Sequence, residues 1–245
     1  MRGKFFTYFA LIFAQALSVG AQDKIIPDDW VPSLLQMEQV EGSLPGAADE
    51  TVPPRKVVKI AIGLIKSFEG WAPDVYDDPV GYCTIGWGHL IAKKRCATVA
   101  DFNLGEYSPR LSAQKGNELL LRDTRPARAT IQNLVKTRLN NRQFGALTVF
   151  VYNIGATNFS RSTMLKHLNT GRYDLAAREF RRWVHAKGVV LDGLVRRRNC
   201  EYELFRGNGT LLDNGKFDTS VCDSITSFAA NDADAIDVNV GEVTQ

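Results

Sequence analysis

The sequence predicts an α+β fold in which a small β-hairpin region lies beside a mainly helical bundle. Apolar residues recur at helical spacing through most of residues 57–205, which predicts the helices. A β-like run is confined to residues 82–85, and the turn-forming residues Pro79 and Gly81 precede it. A chain of 245 residues is long enough for one large domain or two small ones, and it shows no internal repeat.

The first 55 residues precede the predicted globular body. Arg2 and Lys4 stand before an apolar run over residues 5–17, and small residues follow it, so residues 1–21 have the pattern of a secretory signal. A membrane anchor is the alternative, but it needs about twenty apolar residues, and Gln15 interrupts this shorter run. Residues 22–55 are acidic and rich in proline, which predicts a flexible pro-segment or linker.

Helical spacing begins at Val57, and Gly70 ends this first helix. Residues 71–90 contain the turn and the hairpin, and residues 91–111 are predicted to form a loop. Ser112 is suited to cap a helix that Pro126 kinks or breaks before the run reaches residue 136. Later helices are predicted over residues 142–154, 162–168, 174–184 and 194–205. The first of these four is apolar on all sides, which predicts that it is buried at the centre.

The end of the chain differs in composition from the body. Residues 218–245 carry six acids and no base, and they contain few apolar residues. The sequence therefore predicts a flexible acidic tail over residues 218–245. The body between linker and tail, residues 56–217, is predicted to be a single domain.

Two carboxyl groups stand near the hairpin in surroundings that are expected to differ. Glu69 follows Ile65 and Phe68 at the end of a helix, where burial would raise its pKa and keep it protonated. Asp78 lies nine residues further on, in a turn that is expected to be wet, where a carboxyl stays ionised. A neutral carboxyl beside an ionised one is the chemical requirement for cleaving a glycosidic bond.

The spacing of Glu69, Asp78 and Thr84, followed by Ile-Gly-Trp-Gly-His, resembles the catalytic segment of the phage-type lysozymes, the endolysins of glycoside hydrolase family 24. A second block, Gln-Phe-Gly-Ala-Leu at residues 143–147 with Tyr-Asn-Ile-Gly at 152–155, supports the resemblance. A third ends in Arg-Arg-x-x-Glu at residues 197–201. The blocks keep the family order and cover roughly residues 57–210, so the resemblance implies a lysozyme-like catalytic domain.

The resemblance implies three catalytic residues. Glu69 would act as the general acid, Asp78 as the second carboxylate, and Thr84 would orient the attacking water. Family members of this type invert the anomeric configuration, which implies carboxyl groups about 6.5–9.5 Å apart. The residues alone leave plainer interpretations open: Glu69 in a surface ion pair, and Thr84 as an ordinary strand residue.

Supporting residues are implied as well. His89 is expected to pair with Asp123 on the following helix, although an imidazole could also serve as a base or a metal ligand. One arginine near the last helix is expected to contact Glu69. The candidates are Arg197, Arg198 and Arg206.

The resemblance implies that Tyr152, Asn153 and Gly86 contact the sugar. An aromatic face suits a sugar ring, an amide suits its hydroxyl groups, and a glycine lets the backbone approach the glycan closely. Core packing for Tyr152 and a turn for Gly86 are the alternatives that the residues leave open.

All four cysteines, Cys83, Cys96, Cys200 and Cys222, follow the predicted signal. An even number in an oxidising compartment favours disulfides, and three pairings are open. A Cys83–Cys96 bond would clip the hairpin to the loop after it, and a Cys200–Cys222 bond would tie the tail to the last helix. No spacing resembles a zinc site, and the resemblance implies neither a metal nor a cofactor.

The resemblance implies a muramidase that hydrolyses the β-1,4 bond between N-acetylmuramic acid and N-acetylglucosamine in bacterial peptidoglycan, and the signal pattern of residues 1–21 predicts that it is secreted and extracellular. Residues 55–217 carry 27 lysines and arginines against 14 acids, and such a basic body attracts polyanions such as the bacterial wall. We expect a monomer that binds no nucleic acid and does not insert stably into membranes. The alternatives are a cationic wall- or membrane-binding protein without catalysis, a chitinase-like glycosidase, and a degenerate wall-binding domain of the same fold.

Overall fold

The computed structural model describes residues 53–99, 105–107, 110–223 and 234–242. The predicted signal over residues 1–21 and the linker up to residue 52 lie outside these ranges, so both stay predictions, as do the boundaries of the 56–217 domain. Within the described ranges, no helix is both long and apolar enough to span a membrane.

Three strands form an antiparallel sheet, in the order β1 (Ala72–Asp77), β2 (Cys83–Gly86) and β3 (His89–Ala92). The third strand is an addition to the predicted hairpin, because residues 91 and 92 belong to the stretch that the sequence assigns to a loop. Gly86 and Gly88 have positive φ angles of 69° and 81°. Glycine adopts such angles without steric cost, so the chain can reverse there and pair β3 with β2.

The helices follow the predicted order. They are α1 (Lys59–Phe68), α2 (Ala113–Asp123), α3 (Arg125–Leu134), α4 (Asn141–Ile154), α5 (Ala156–Arg161), α6 (Thr163–Asn169), α7 (Tyr173–Glu179), α8 (Asp192–Arg206) and α9 (Ser220–Asp223). Two short strands, β4 (His185–Ala186) and β5 (Val189–Val190), pair between α7 and α8. The helix predicted over residues 174–184 is shorter than expected, because a 3₁₀ turn over Phe180–Arg182 follows α7.

Local signals set the helix boundaries. Ser112 caps α2 by accepting a backbone N–H at 3.2 Å. Pro126 lies in the first turn of α3, where its missing N–H costs no hydrogen bond, so the predicted break is the boundary between α2 and α3 at Thr124. A capping box between Asn140 and Gln143 begins α4.

Helix α4 is the centre of the fold. Every residue from Phe144 to Ile154 is buried, which confirms the burial predicted from its composition. Helices α1, α3 and α8 pack against it. A smaller core, to which β2 contributes Ile85 and α2 contributes Leu119, lies between the sheet and α2. Glu69, at the end of α1, therefore lies where the chain passes from the large core to the small one.

The prediction of a flexible tail is wrong for the part of the tail that the structure describes. Residues 220–223 form α9, and Ile236 and Val238 are buried in the main core. The backbone N–H of His185 binds the Ile236 carbonyl at 3.2 Å, and the Glu242 carboxylate accepts the N–H of Thr163 at the start of α6. The acidic composition of this segment concealed an alternation of apolar and polar residues that fits one buried face.

Two disulfides, Cys83–Cys96 and Cys200–Cys222, join the four cysteines. The first links β2 to the 3₁₀ turn Cys96–Thr98 after β3. The second links α8 to α9. The sequence leaves three pairings open. The structure has the pairing in which one disulfide joins β2 to the turn after the sheet and the other joins α8 to α9.

Candidate active site

Glu69 is the C-cap residue of α1, and its carboxyl group is buried, with 2% of the residue exposed. Its backbone leaves the helical conformation there, and its N–H still binds the Ile65 carbonyl at 2.8 Å. Arg197 on α8 donates a hydrogen bond from Nη1 to Glu69 Oε1 at 3.1 Å, which leaves Oε2 to carry a proton. Burial raises the pKa of Glu69, and the charge and hydrogen bond of Arg197 offset part of that rise.

Asp78 lies in the turn between β1 and β2. Its Oδ1 accepts the backbone N–H groups of Val80 at 3.0 Å and Tyr82 at 2.8 Å, so the turn fixes the orientation of the carboxyl group. Oδ2 is buried and has no hydrogen-bond partner among the residues that the structure describes. With 5% of the residue exposed, the expectation that Asp78 lies in a wet turn is wrong. The folded turn closes over the side chain that it binds.

Thr84 is fully buried on β2, where it pairs with Tyr76 on β1. Its hydroxyl group donates to the Tyr82 carbonyl at 3.1 Å. Because the hydroxyl proton is engaged, the oxygen lone pairs of Thr84 remain available as acceptors.

Tyr76 connects the three predicted catalytic residues, and the sequence reasoning missed it. Burial raises the pKa of Tyr76, and the charges of Glu69 and Asp78 raise it further, which places this phenol close to both carboxyl groups. Strand alternation gave no signal for Tyr76, because β1 ends at Asp77 and Asp78 lies in the turn beyond it.

His89 and Asp123 form the expected pair, with Nδ1 and Oδ2 2.8 Å apart. Arg122 lies 3.1 Å from the other ring nitrogen, Nε2. Because a guanidinium group has only donors, Nε2 accepts this bond and Nδ1 carries the proton that it donates to Asp123. The pair joins β3 to the end of α2, which is the geometry of a structural contact.

Arg197 is the arginine that contacts Glu69. Arg198 instead binds the Glu201 carboxylate and donates from Nε to the Trp183 carbonyl at 3.0 Å. Arg206 is exposed and binds the hydroxyl group of Tyr202 at 2.7 Å. A supporting role at Glu69 is thus incorrect for Arg206, and Arg198 reaches Glu69 only through other residues.

The predicted sugar contacts stay predictions, because Tyr152 and Asn153 are buried to the same degree as Glu69 and Thr84. Tyr152 lies in the main core with 3% of its surface exposed, and Asn153 is fully buried and accepts a hydrogen bond from Arg198. Both belong to α4, which is buried on every side. A Cβ atom on Gly86 would lie 2.9 Å from the Leu111 side chain, so this glycine is needed for the turn and for close packing.

Within the described parts of the chain, no group of three or more histidine, cysteine, aspartate and glutamate side chains could hold a metal ion. The site chemistry available here is that of two carboxyl groups, a hydroxyl group, a phenol and a guanidinium group.

The three-stranded sheet and the buried central helix, with two buried carboxyl groups between them, define a lysozyme-like α+β protein. The chain belongs to the phage lysozyme family, which matches residues 66–201.

Relatives and a solved structure agree with this assignment. The chain is 34% identical over 151 residues to the endolysin of Bacillus phage B103, an alignment that covers 61% of this chain and 53% of that protein. It therefore spans about half the length of that relative. It is 36% identical over 144 residues to the endolysin of Salmonella phage P22, covering 59% of this chain and 93% of that protein. The solved muramidase domain of SpmX from Asticaccaulis excentricus is 34% identical, with a TM-score of 0.52, and the match covers 62% of this chain and 97% of that domain.

Proposed function

We propose that this protein is a secreted muramidase that hydrolyses the β-1,4 bond between N-acetylmuramic acid and N-acetylglucosamine in bacterial peptidoglycan, with inversion at the anomeric carbon. The observation that carries the proposal is the contrast between the two carboxyl groups. Burial raises the pKa of Glu69, and Asp78 is fixed by two backbone N–H groups with Oδ2 unbonded. Membership of the phage lysozyme family supports it.

Glu69 is the general acid. Its Oε2 gives a proton to the glycosidic oxygen as the bond to the anomeric carbon breaks, so the leaving sugar departs as a neutral alcohol. Arg197 holds Oε1 and stabilises the carboxylate that forms. Burial favours the protonated form because it disfavours the charged form of the acid, which raises the pKa of Glu69.

Asp78 and Thr84 position the water that attacks from the opposite face of the sugar. One water O–H donates to Asp78 Oδ2, and the other donates to the free lone pairs of Thr84. The water oxygen then directs its own lone pair at the anomeric carbon, and Asp78 takes the released proton. Water between the carboxyl groups requires the separation of about 6.5–9.5 Å that is typical of inverting enzymes.

The burial of Glu69, Asp78 and Thr84 has a consequence for substrate entry. A glycan strand reaches these groups only if the side chains that cover them move apart. Glu69 lies between the large helical core and the small core beside the sheet. We therefore infer that the sheet and the helical body separate when the glycan binds.

Secretion and wall binding follow from the remaining features. Two disulfides suit an oxidising compartment, and residues 1–21 have the pattern of a secretory signal. The basic body would concentrate the enzyme, as a monomer, on the anionic wall.

Product analysis tests the proposed reaction. Purified peptidoglycan is digested, the products are reduced with borohydride, and the reduced sugar is identified. New muramic acid ends are expected, and in a parallel digest without borohydride their initial anomeric form, read by proton NMR, is expected to be α. New glucosamine ends would overturn the bond assignment, and equal cleavage of chitin would favour a chitinase-like enzyme. Binding to the wall with no new reducing ends would favour the cationic non-catalytic alternative.

A further inference from the structure

A buried polar network on α8 lies behind the Glu69 carboxyl group. Arg197, Arg198 and Glu201 are fully buried, although charged side chains are among those least often found inside proteins. Arg197 touches Glu69, and the other two lie one step deeper in the core. The acid–base mechanism uses Arg197 but leaves Arg198 and Glu201 without a role.

Glu201 joins the two arginines. Its Oε1 accepts from Arg197 Nε at 3.4 Å, and its Oε2 accepts from Arg198 Nη1. The spacings of three and four residues along α8 place these side chains on one face of the helix. Arg197 is therefore held by Glu201 on its Nε side while its Nη1 reaches Glu69.

Arg198 is anchored independently of Glu69. Its Nε donates to the Trp183 carbonyl at 3.0 Å, and its Nη2 donates to Asn153 on α4. The Arg198 guanidinium group also lies over the Phe150 ring, 4.9 Å from the centroid. These contacts make Arg198 a fixed positive charge in the core.

The charges of this network decide how readily Glu69 keeps its proton. Burial lowers the pKa of Arg198 to about 10, so it remains charged at neutral pH. Burial raises the pKa of Glu201, and the charges and hydrogen bonds of Arg198 and Arg197 lower it; both oxygens of Glu201 accept bonds from these guanidinium groups, which is the arrangement of a carboxylate. Two cations and one anion then leave a single positive charge behind a protonated Glu69. Without the Glu201 charge there would be two, and they would favour the ionised form of Glu69.

We propose that Glu201 is a positioning residue for the hydrolysis: it holds the Arg197 guanidinium group against Glu69 and offsets the charge of Arg198, so that Glu69 stays protonated. This inference rests on the proposed function of Glu69 as the general acid. Tyr76 on β1 also lies close to Glu69, and Tyr76 itself lies close to Asp78 in the turn after β1; neither residue belongs to α8.

Charge-changing variants with opposite expected effects test the proposal. Glu201→Gln keeps the size of the side chain but removes the anion, Arg198→Gln removes a cation, and the double variant restores the original charge. Glu203→Gln is the matched control, because Glu203 lies on the same helix outside the network and binds Asn208.

Two readouts are used. The first is the alkaline limb of the pH profile of kcat/KM, since activity falls as the general acid loses its proton. The second is the titration midpoint of the Glu69 carboxyl carbon by ¹³C NMR without substrate, assigned by its loss in Glu69→Gln. We expect Glu201→Gln to lower both by about one pH unit, Arg198→Gln to raise both, and the double variant to return both close to wild type.

Unchanged midpoints in folded Glu201→Gln and Arg198→Gln would overturn the proposal, as would shifts of the two single variants in the same direction. If Glu201→Gln does not fold, Arg198→Gln and the double variant decide: a raised midpoint that the second substitution reverses supports the proposal, and any other pair of results overturns it. The proposed function can fail separately. If the variants show the expected shifts of the NMR midpoint but the wild-type protein cleaves no peptidoglycan, the charge coupling is upheld and the proposed function is overturned.

Discussion

The two disulfides allow stability to be separated from active-site geometry. They close loops with sequence separations of 13 and 22 residues. The chain-entropy relation gives about 3 kcal/mol of stabilisation for each, because the dependence on loop length is logarithmic. Replacing either pair by alanine, Cys83→Ala with Cys96→Ala or Cys200→Ala with Cys222→Ala, is therefore expected to lower Tm by about 6–12 °C.

The two variants are expected to differ in activity. Cys83 immediately precedes Thr84 on β2, and the backbone N–H of Cys96 binds the Asp77 carboxylate at 2.7 Å, next to Asp78. Loss of this disulfide therefore loosens the segment that holds the Asp78 carboxylate and the Thr84 hydroxyl group. Misplacement of catalytic groups by about 1 Å can reduce the rate about a hundredfold. Cys200 immediately precedes Glu201, but both lie inside α8, whose own backbone hydrogen bonds and packing against α4 hold Glu201 in place without the Cys200–Cys222 bond.

The assay is peptidoglycan turnover at a temperature at least about 15 °C below the lower Tm, with Tm measured by circular dichroism. We expect at least about a tenfold loss for the Cys83–Cys96 variant and less than about a twofold change for the other. Equal activities in the two variants would refute the claim that the first disulfide positions the site. A larger loss in the Cys200–Cys222 variant would contradict it as strongly.

Three further predictions concern single features. Asp78→Asn is expected to lose at least about 99% of turnover while its circular dichroism and Tm stay near wild type, because it cannot take the proton from water; Asp77→Asn, at the exposed neighbouring residue, is the control and should keep most activity. Ile236→Ala is expected to lower the free energy of unfolding by about 2–5 kcal/mol, measured in urea, with turnover retained; an unchanged midpoint would mean that residues 234–242 do not pack on the core in solution. Added salt is expected to reduce lysis of intact cells more than cleavage of soluble fragments. The Debye length is about 8 Å at physiological salt, and added salt shortens it, which weakens the attraction of the basic body to the wall. Equal sensitivity of the two reactions would argue against electrostatic attraction to the wall.

The parts of the fold that the sequence predicted are those that local patterns specify. The end of α1 at Glu69, the break between α2 and α3 and the burial of α4 follow from glycine, proline and apolar spacing within a few residues. Asp123 was the candidate partner for His89, and the structure has this contact.

The features that the sequence missed or left open are those that tertiary packing decides. Tyr152 and Asn153 lie on a helix that is buried all round, and their polar character alone does not show whether the sugar reaches them. Which of several neighbouring arginines reaches Glu69 depends on the rotation of α8 against α1, which the sequence of α8 does not specify. The acids of the tail concealed the apolar alternation around Ile236 and Val238. This alternation predicts a packed segment only when the core surface that receives the two side chains is known.

The most direct test of the central claim is the clearing of purified peptidoglycan by wild type beside Glu69→Gln and the control Glu203→Gln, with reducing ends counted in the supernatant. Glu69→Gln cannot donate a proton, so we expect wild type and control to clear the suspension and release muramic acid ends, and Glu69→Gln to bind the wall and release none. Clearing by Glu69→Gln at the wild-type rate would contradict the assignment of Glu69 as the general acid. Binding without clearing by all three proteins would contradict the proposal that this chain is a muramidase.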